Sequence, residues 1–289
     1  MTARLRDACQ PLLLACLLAL TPLAAPAQSY EELVERGQEA AQADSLVLAE
    51  SLFKQALKLS PNDHRNALLY TDLGRVQEAL YWQDTHDGRR ADQALESYSL
   101  AIDRAPEAVP MLMARAAFYL KLGQWAKAIR DFTRVLAVNE QHIPALNYRA
   151  YCYARQQAYD LARKGYEQVL ALDENNYQAT LGLAILEQQT GHIARGIERM
   201  TQLIEAGETR AETYSVRAGM YAENHQPELA LLDLDLAVDQ EPQNVNYVLA
   251  RAYLHQQQGN KRLALKDFEQ AIALGIPPAS LSDELKACR

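Results

Sequence analysis

The chain has 289 residues, of which 49% are hydrophobic and 23% are charged, and its formal net charge at pH 7 is −8. An acidic chain without a block of lysine and arginine attracts neither nucleic acid nor anionic lipid surfaces, so we expect no nucleic-acid partner. The six histidines are scattered without an i, i+4 pair, and we therefore predict neither a metal site nor a cofactor.

The first 27 residues have the three parts of a secretory signal peptide. Arg4 and Arg6 form a positively charged start, residues 11–20 form a short apolar run, and residues 25–27 read Ala-Pro-Ala, the small-residue pattern of a cleavage site. The apolar run is too short to cross a bilayer as a stable helix. We therefore predict that residues 1–27 are removed and that the protein is exported by a bacterium, to the periplasm or another part of the cell envelope.

Loss of residues 1–27 would leave Cys152 and Cys288 as the remaining cysteines. Two cysteines form neither a disulfide framework nor a zinc site, and Cys152 is expected on an apolar helix face. Whether Cys16, inside the predicted signal, carries a lipid stays open. No stretch after residue 27 approaches 18 consecutive apolar residues, so we predict no membrane span in the mature chain.

One helix-turn-helix pattern recurs from residue 30 onward. Between residues 109 and 140, two runs carry apolar residues at i, i+4 and i+7, and Gly123 and Gln124 interrupt the pattern between them. From Ala128 onward the pattern returns every 34 residues. The core residues of the second helices are Ala49/Phe53/Ala56, Ala94/Tyr98/Ala101, Ala128/Phe132/Val135, Ala162/Tyr166/Val169, Gly196/Met200/Leu203, Ala230/Leu234/Ala237 and Ala264/Phe268/Ala271.

A 34-residue helix-turn-helix unit with Ala-x3-Phe and a closing proline resembles the tetratricopeptide repeat. The first helix matches as well, because Leu73-Gly74 and Arg115-Ala116 stand where that family has Leu-Gly. The resemblance covers about 250 residues. It implies an all-α fold, a right-handed α-α superhelix of about seven repeats, in which stacked neighbours bury the apolar face that one repeat alone leaves open.

We predict that the repeats form one array over residues 28–278. The expected repeat bounds are 30–63, 67–108 with an insertion at about 79–90, 109–142, 143–176, 177–210, 211–244 and 245–278. Gly275 and two prolines end the last repeat, and residues 279–289 are expected to form a capping helix with Ser280 as its N-cap.

The second and fifth repeats depart from the pattern. In the second, eight extra residues separate the core positions of the two helices, and residues 82–90 have the composition of a solvated loop. Three interpretations stay open: a plain loop, a loop that contacts a partner through Trp82, His86, Arg89 and Arg90, or a metal or catalytic loop. In the fifth repeat, methionine replaces the aromatic residue, and we expect it to fill a gap in a soft repeat.

Several repeats carry an arginine where the family has leucine. These residues are Arg36, Arg115, Arg149, Arg217 and Arg251. Asp131, Asp233 and Asp267 each follow one of them by sixteen residues. On two facing helices this spacing predicts an Arg–Asp pair within a repeat. We interpret the pairs as structural, with ligand binding as the alternative.

In the tetratricopeptide repeat family, the first helices of successive repeats line a concave face that holds peptide-like ligands. The resemblance places helix positions five, nine and twelve on this face, with two further residues flanking its middle. The predicted groove residues are Met113, Ala117, Leu120, Asn147, Tyr148, Tyr151, Arg155, Leu181, Ile185, Gln188, Leu249, Tyr253 and Gln256. Their apolar and aromatic character suits a peptide segment. The alternative is that the aliphatic ones only pack against neighbouring helices.

The sequence contains no glycine-rich phosphate loop, no GxSxG elbow and no HExxH helix. We therefore predict that the protein is not an enzyme. The expected function is a non-catalytic scaffold of the bacterial envelope that holds a peptide or protein segment in its groove. Two alternatives stay open: an accessory subunit that regulates an envelope enzyme, and a protein that binds glycan or peptidoglycan.

Overall fold

The computed structural model describes residues 28–83 and 87–288, which are helical apart from short connections. The helices are α1 (Tyr30–Gln42), α2 (Leu46–Leu59), α3 (Asn66–Gln83), α4 (Gly88–Arg104), α5 (Val109–Lys121), α6 (Trp125–Val138), α7 (Ile143–Arg155), α8 (Tyr159–Leu172), α9 (Tyr177–Gln189), α10 (Ile193–Glu205), α11 (Ala211–Glu223), α12 (Pro227–Gln240), α13 (Val245–Gln257), α14 (Lys261–Ala273) and α15 (Ser282–Cys288). The predicted all-α fold class is confirmed. The predicted signal peptide, with Cys16, lies outside the described residues.

The chain divides into two compact units, one ending at Asp63 and the other beginning at His64. The first unit holds the hairpin of α1 and α2, in which Phe53 is 1% exposed. A capping box starts α1: the Ser29 hydroxyl accepts a hydrogen bond from the Glu32 N–H at 3.1 Å, and the Glu32 carboxylate accepts one from the Ser29 N–H at 3.0 Å. The second unit holds α3 to α15. The predicted repeat bounds stay predictions.

In the second unit, consecutive helices pack against one another, so a core runs through the stack. Helix α6 packs on α5 and α7, and α8 packs on α7 and α9. The predicted core positions are buried, with Phe132 and Phe268 at 0% exposure and Tyr166 at 4%. Burial of one such side chain stabilises the fold by about 1.5–3 kcal/mol, so stacking supplies the stability that a lone hairpin lacks.

The turn between the two helices of a repeat needs a left-handed backbone at one position. Residues 34 apart share it: Gly123 has φ 70°, Gln157 61°, Gly191 80°, His225 57° and Gly259 74°. Glycine adopts this conformation without steric cost, whereas the Cβ atom of other residues is crowded there. Of these five turns, those at Gln157 and His225 therefore carry local strain, as does the turn of the first hairpin, where Asp44 has φ 56°.

The eight extra residues of the second repeat mainly lengthen its helices. Residues 82–83 belong to α3 and residues 88–90 to α4, so the prediction of a loop is wrong for these residues, and residues 84–86 lie outside the described residues. Helix α3 continues nine residues beyond Gly74, whereas α5 continues five beyond the equivalent Ala116. Helix α4 also starts early, with Asp87 as its N-cap accepting a hydrogen bond from the Arg89 N–H at 3.0 Å.

Aromatic packing explains why the added part of α3 is helical. Tyr81 meets Phe118 of α5 edge to face, with ring centroids 6.0 Å apart, and lies 4.8 Å from the ring of Trp82. Phe118 is 0% exposed. The added turn therefore buries aromatic surface that a solvated loop would leave in water.

The fifth repeat is filled by methionine, as predicted. Met200 and Met220 are both 0% exposed and lie in one cluster with Leu203. A Cβ atom added at Gly196 would lie 3.0 Å from the sulfur of Met220, so the glycine leaves room for that side chain. The expected softness of this repeat stays a prediction.

A 3-10 turn (Pro278–Leu281) and α15 close the last repeat. Leu281 and Cys288 are 3% and 6% exposed and pack in a cluster with Phe268. Ser280 lies inside the 3-10 turn, so its prediction as the N-cap of the capping helix is wrong. Pro278 fixes the start of this tighter turn two residues earlier.

Candidate partner-binding face

Arginines of three first helices clamp an aspartate on the second helix of their own repeat. In each pair, Nε and Nη2 donate two parallel hydrogen bonds to one carboxylate, and the aspartates are 1–3% exposed. The pairs are Arg115–Asp131 at 2.8 and 2.9 Å, Arg217–Asp233 at 2.7 and 2.8 Å, and Arg251–Asp267 at 2.9 and 2.9 Å. The predicted Arg–Asp pairs are confirmed.

The same guanidinium groups also reach the second helix of the preceding repeat. In each case Nη1 donates a hydrogen bond to a side-chain oxygen: Arg115 to the Ser99 hydroxyl at 2.9 Å, Arg217 to the Thr201 hydroxyl at 3.1 Å and Arg251 to the Asp235 carboxylate at 2.8 Å. Each arginine therefore ties three helices together. This fixes the orientation of the first helix, and with it the side chains that the first helix presents to a partner.

The fifth repeat uses the opposite arrangement of charge. Glu187 on α9 is 1% exposed and accepts hydrogen bonds from Arg163 at 3.4 Å and Arg199 at 3.1 Å, which lie on α8 and α10. The acid is on the first helix here and the arginines are on the second helices. The sequence pattern does not predict this cluster, because Arg163 and Arg199 lie 24 and 12 residues from Glu187 rather than sixteen.

Helices α3 and α5 line a surface cavity of about 630 Å³. Its lining includes two predicted groove residues, Met113 and Ala117, together with Arg75 and Lys121. Trp82 also lines it and is 40% exposed. The structure therefore brings part of the predicted groove together with one residue of the predicted contact stretch.

Hydrogen bonds within the second repeat and between first helices of neighbouring repeats cross this face. The Glu78 carboxylate accepts hydrogen bonds from the Tyr98 hydroxyl at 2.8 Å and from the Lys121 ammonium at 2.7 Å. Burial, followed by the charge of Glu78, raises the pKa of Tyr98 far above its usual value, so the hydroxyl remains a donor. Gln188 donates in a similar way to Glu223 at 2.6 Å.

Helix α7 and the start of α6 form an aromatic patch, made of Trp125, Tyr148, Tyr151 and Arg155. Tyr148 is 46% exposed and stacks on Phe132 at 5.7 Å, and Tyr151 is 39% exposed. The Tyr151 ring meets Trp125 edge to face at 6.0 Å, and the Arg155 guanidinium lies 5.3 Å from the Trp125 ring. Trp125 was not predicted here, because it lies on a second helix.

Asn147 lies one residue before this patch. Its Nδ2 donates to the Asn176 Oδ1 at 3.2 Å, while its own buried Oδ1 has no hydrogen-bond partner among the described residues. A buried acceptor without a donor costs about 1–3 kcal/mol.

The aliphatic groove residues lie deeper than predicted. Leu181 is 7% exposed and belongs to a core cluster with Tyr177, so it is a packing residue rather than a surface one. Leu120, Ile185 and Leu249 are half-buried and pack against the clusters beneath them. The alternative interpretation, packing between helices, fits these four residues.

In the last repeat, the capping helix lies beside the predicted groove residues. Gln256 approaches the Cys288 sulfur at 3.9 Å. Tyr253 is 38% exposed and packs edge to face against Phe268 at 5.2 Å. Burial, followed by the charge of Glu284 on α15, raises the pKa of Tyr253. This end of the face is therefore partly covered by the chain itself.

The charged part of the predicted contact stretch lies apart from the cavity. Arg89 forms an ion pair with Asp87 at 3.0 Å, and its hydrogen bond lowers the pKa of that carboxyl. Neither Arg89 nor Arg90 belongs to the cavity lining. His86 lies outside the described residues.

Residues 28–83 and 87–288 contain no cluster of three or more His, Cys, Asp or Glu that could hold a metal. In the same ranges, no helix has both the length and the apolar character that a membrane span requires. Cys152 is 0% exposed, as predicted for a core residue, and burial raises the pKa of its thiol to about 12. A thiol with such a pKa is protonated and unreactive at neutral pH.

Comparison with known proteins agrees with this architecture. The family model for the tetratricopeptide repeat matches residues 112–179. Residues 112–179 of this chain therefore resemble tetratricopeptide repeats. A solved tetratricopeptide repeat protein from Parabacteroides merdae is similar over 91% of this chain and 99% of its own, with a TM-score of 0.75 and 28% identity. The predicted tetratricopeptide superhelix is therefore confirmed.

Curated relatives match shorter segments. The Protein CTR9 homolog of Arabidopsis thaliana is 28% identical over 138 residues, which is 46% of this chain and 12% of that protein. The RNA polymerase II-associated protein 3 of Homo sapiens is 31% identical over 97 residues, which is 34% of this chain and 15% of that protein. The chain thus spans a small part of the length of these relatives.

Proposed function

We propose that this protein is a non-catalytic scaffold that binds a peptide or protein segment along the first helices of its second to fourth repeats. The tetratricopeptide repeat fold favours protein binding. The observation that carries the proposal is the exposed aromatic patch on α7 and the start of α6. Aromatic side chains and arginine are the residues that most often anchor a partner.

The chemistry of this face suits a peptide with apolar side chains. Met113 and Trp82 offer apolar contact area, and Tyr148 and Tyr151 offer rings that need little ordering on binding. The Arg115–Asp131 pair holds α5 in place, so this central helix of the face is ordered before a partner arrives, which lowers the entropic cost of binding.

We place the protein in the bacterial cell envelope, most directly in the periplasm. This part of the proposal rests on the signal-like residues 1–27. It is tested by sequencing the N-terminus of the protein purified from its own cells. A mature chain beginning at Gln28 in an envelope fraction supports the address, whereas an intact Met1 in the cytoplasmic fraction overturns it.

Glycan is the second candidate ligand, because the exposed rings of Tyr148 and Tyr151 also suit the flat face of a sugar. Peptidoglycan fragments and envelope proteins are therefore offered to the same immobilised protein. The site is tested with Tyr148→Ala/Tyr151→Ala, and Leu229→Ala/Leu232→Ala is the matched control on exposed positions of α12.

The expected result is retention of a protein by the wild type and the control, and its loss from the tyrosine variant with unchanged helicity. Retention of glycan in place of protein would favour the second candidate. Equal retention by all three proteins would contradict the proposed face.

A further inference from the structure

Arg149 occupies the position of the clamping arginines but has no aspartate opposite it. Gly165 stands sixteen residues later, and Thr133, sixteen residues earlier, bonds to the Ile129 carbonyl of its own helix at 2.7 Å. A Cβ atom at Gly165 would lie 2.8 Å from that of Ala150, so close helix packing excludes an acid here. Among the described residues, no hydrogen bond or ion pair engages the Arg149 guanidinium.

A second contact of the stack is missing at the same place. In two other repeats, the second helix donates to a carbonyl 28 residues earlier, from Arg134 to Pro106 at 2.8 Å and from Gln270 to Pro242 at 3.2 Å. Gln168 is the equivalent residue of the fourth repeat. In the part of the chain that the structure describes, its amide makes no such bond.

A cavity of about 420 Å³ lies where these two contacts are missing. Arg149 and Gln168 line it together with Leu136 and Leu146, which are 7% and 4% exposed. Glu140 lines it as well and is exposed. None of its lining residues belongs to the aromatic patch, so this cavity is separate from the proposed partner-binding face.

We propose that this cavity binds a carboxylate carried on a short aliphatic stem. Arg115 and Arg217 show how an arginine at this helix position is satisfied, by two parallel hydrogen bonds to one carboxylate. At Arg149 the carboxylate has to come from another molecule. The two leucines contact the stem, and Gln168 offers a further donor.

Glu140 limits which ligands bind. Its negative charge opposes simple anions, so binding depends on contact of the stem with the leucines as well as on the charge of Arg149. The carboxylate has two sources, a glutamate side chain of a docked protein or a free aliphatic acid. Both present the same group, and the experiment separates them.

The test is an NMR titration of the full chain labelled at arginine, followed at the Nε–Hε signal of Arg149. The probes are N-acetylglutamate N-methylamide, its glutamine analogue as the neutral control, and hexanoate as the free acid. A saturable shift with either carboxylate and none with the glutamine analogue supports the proposal. Tighter binding of the glutamate derivative indicates a glutamate side chain of a docked protein as the natural ligand, and tighter binding of hexanoate indicates a free aliphatic acid.

Two variants assign the shift to this cavity. Arg149→Gln lacks the reporting signal, so its binding is measured by isothermal titration calorimetry beside the wild type; it should be about tenfold weaker or more, because a charge-assisted hydrogen-bond pair is lost. Glu140→Gln should tighten binding about threefold, because an opposing exposed charge is removed. Arg149→Gln should melt like the wild type, since no native contact is lost.

No saturable shift with either carboxylate, or an equal shift with the glutamine analogue, would overturn the proposal. The variant Tyr148→Ala/Tyr151→Ala should bind the carboxylate probes as the wild type does. The carboxylate titration therefore tests the cavity at Arg149, whereas retention of a partner by the tyrosine variant tests the proposed partner-binding face, so that either proposal can fail without the other.

Discussion

The Arg217 guanidinium holds the Asp233 carboxylate through two parallel hydrogen bonds of 2.7 and 2.8 Å. The side chains are 14% and 4% exposed, so both charges have lost most of their water. Removal of one partner leaves the other charge partly buried and unpaired. This pair, with its equivalents in two other repeats, therefore keeps the first helices in register.

We expect Asp233→Ala to lower the free energy of unfolding by about 2–4 kcal/mol, which is near the range for a broken buried pair. Urea denaturation followed by circular dichroism measures it. Asp283→Ala is the control, because its pair with Lys286 is exposed and should contribute less than about 0.5 kcal/mol. Equal losses in the two variants would show that the clamp does not stabilise the stack.

Substitution by glycine at the left-handed turn positions should stabilise the protein, in contrast to Asp233→Ala. Gln157→Gly and His225→Gly should each raise the free energy of unfolding by about 0.5–1 kcal/mol, because glycine removes the strain of a positive φ. Gly123→Ala should lower it by a similar amount. Gln156→Gly is the control, since φ is −88° there and glycine should destabilise. A loss of stability in Gln157→Gly would contradict this account of the turn.

His255 should make stability depend on pH. Burial lowers its pKa; the charge of Asp267 raises it by less, and the charge of Arg251 lowers it further. Its buried Nδ1 has no hydrogen-bond partner within the described residues. Below about pH 6.5, the ordinary pKa of histidine, the unfolded chain therefore binds a proton that the folded chain resists. The contribution of His255 to stability is complete above that pH and is lost as the pH falls below it.

The measurement is the urea midpoint at pH 7.5 and at pH 5.5, for the wild type and for His255→Gln. The wild type should lose more stability on acidification than the variant does. An equal loss in the two proteins would mean that other groups cause the pH dependence.

The sequence predicts those features that recur at a fixed spacing. The helix pairs follow from the 34-residue period, and the Arg115–Asp131 pair follows from a spacing of sixteen on facing helices. Helix lengthening in the second repeat was missed, since the charged residues after Trp82 have loop composition. The burial of Tyr81 against Phe118, which favours helix, depends on a neighbouring repeat.

The candidate site was predicted in part, for a similar reason. Met113 and Ala117 line the cavity of α3 and α5 and Tyr151 is exposed, and the helix period alone predicts that such positions are accessible. Trp125 and Glu78 join that face through contacts between different helices, which no single-helix pattern contains. Leu181 was misplaced because hydrophobic residues on a groove and in a core look alike in sequence.

The central claim is that the first-helix face of the second to fourth repeats contacts a partner. Site-specific photocrosslinking in the cells that make the protein tests it most directly, with p-benzoylphenylalanine placed at Tyr151, at Met113 and, as a control, at Leu232 of α12, which is 61% exposed. We predict crosslinks to one and the same partner from the first two positions and none from the third. Crosslinks from Leu232 alone, or equal crosslinking at all three positions, would contradict the account.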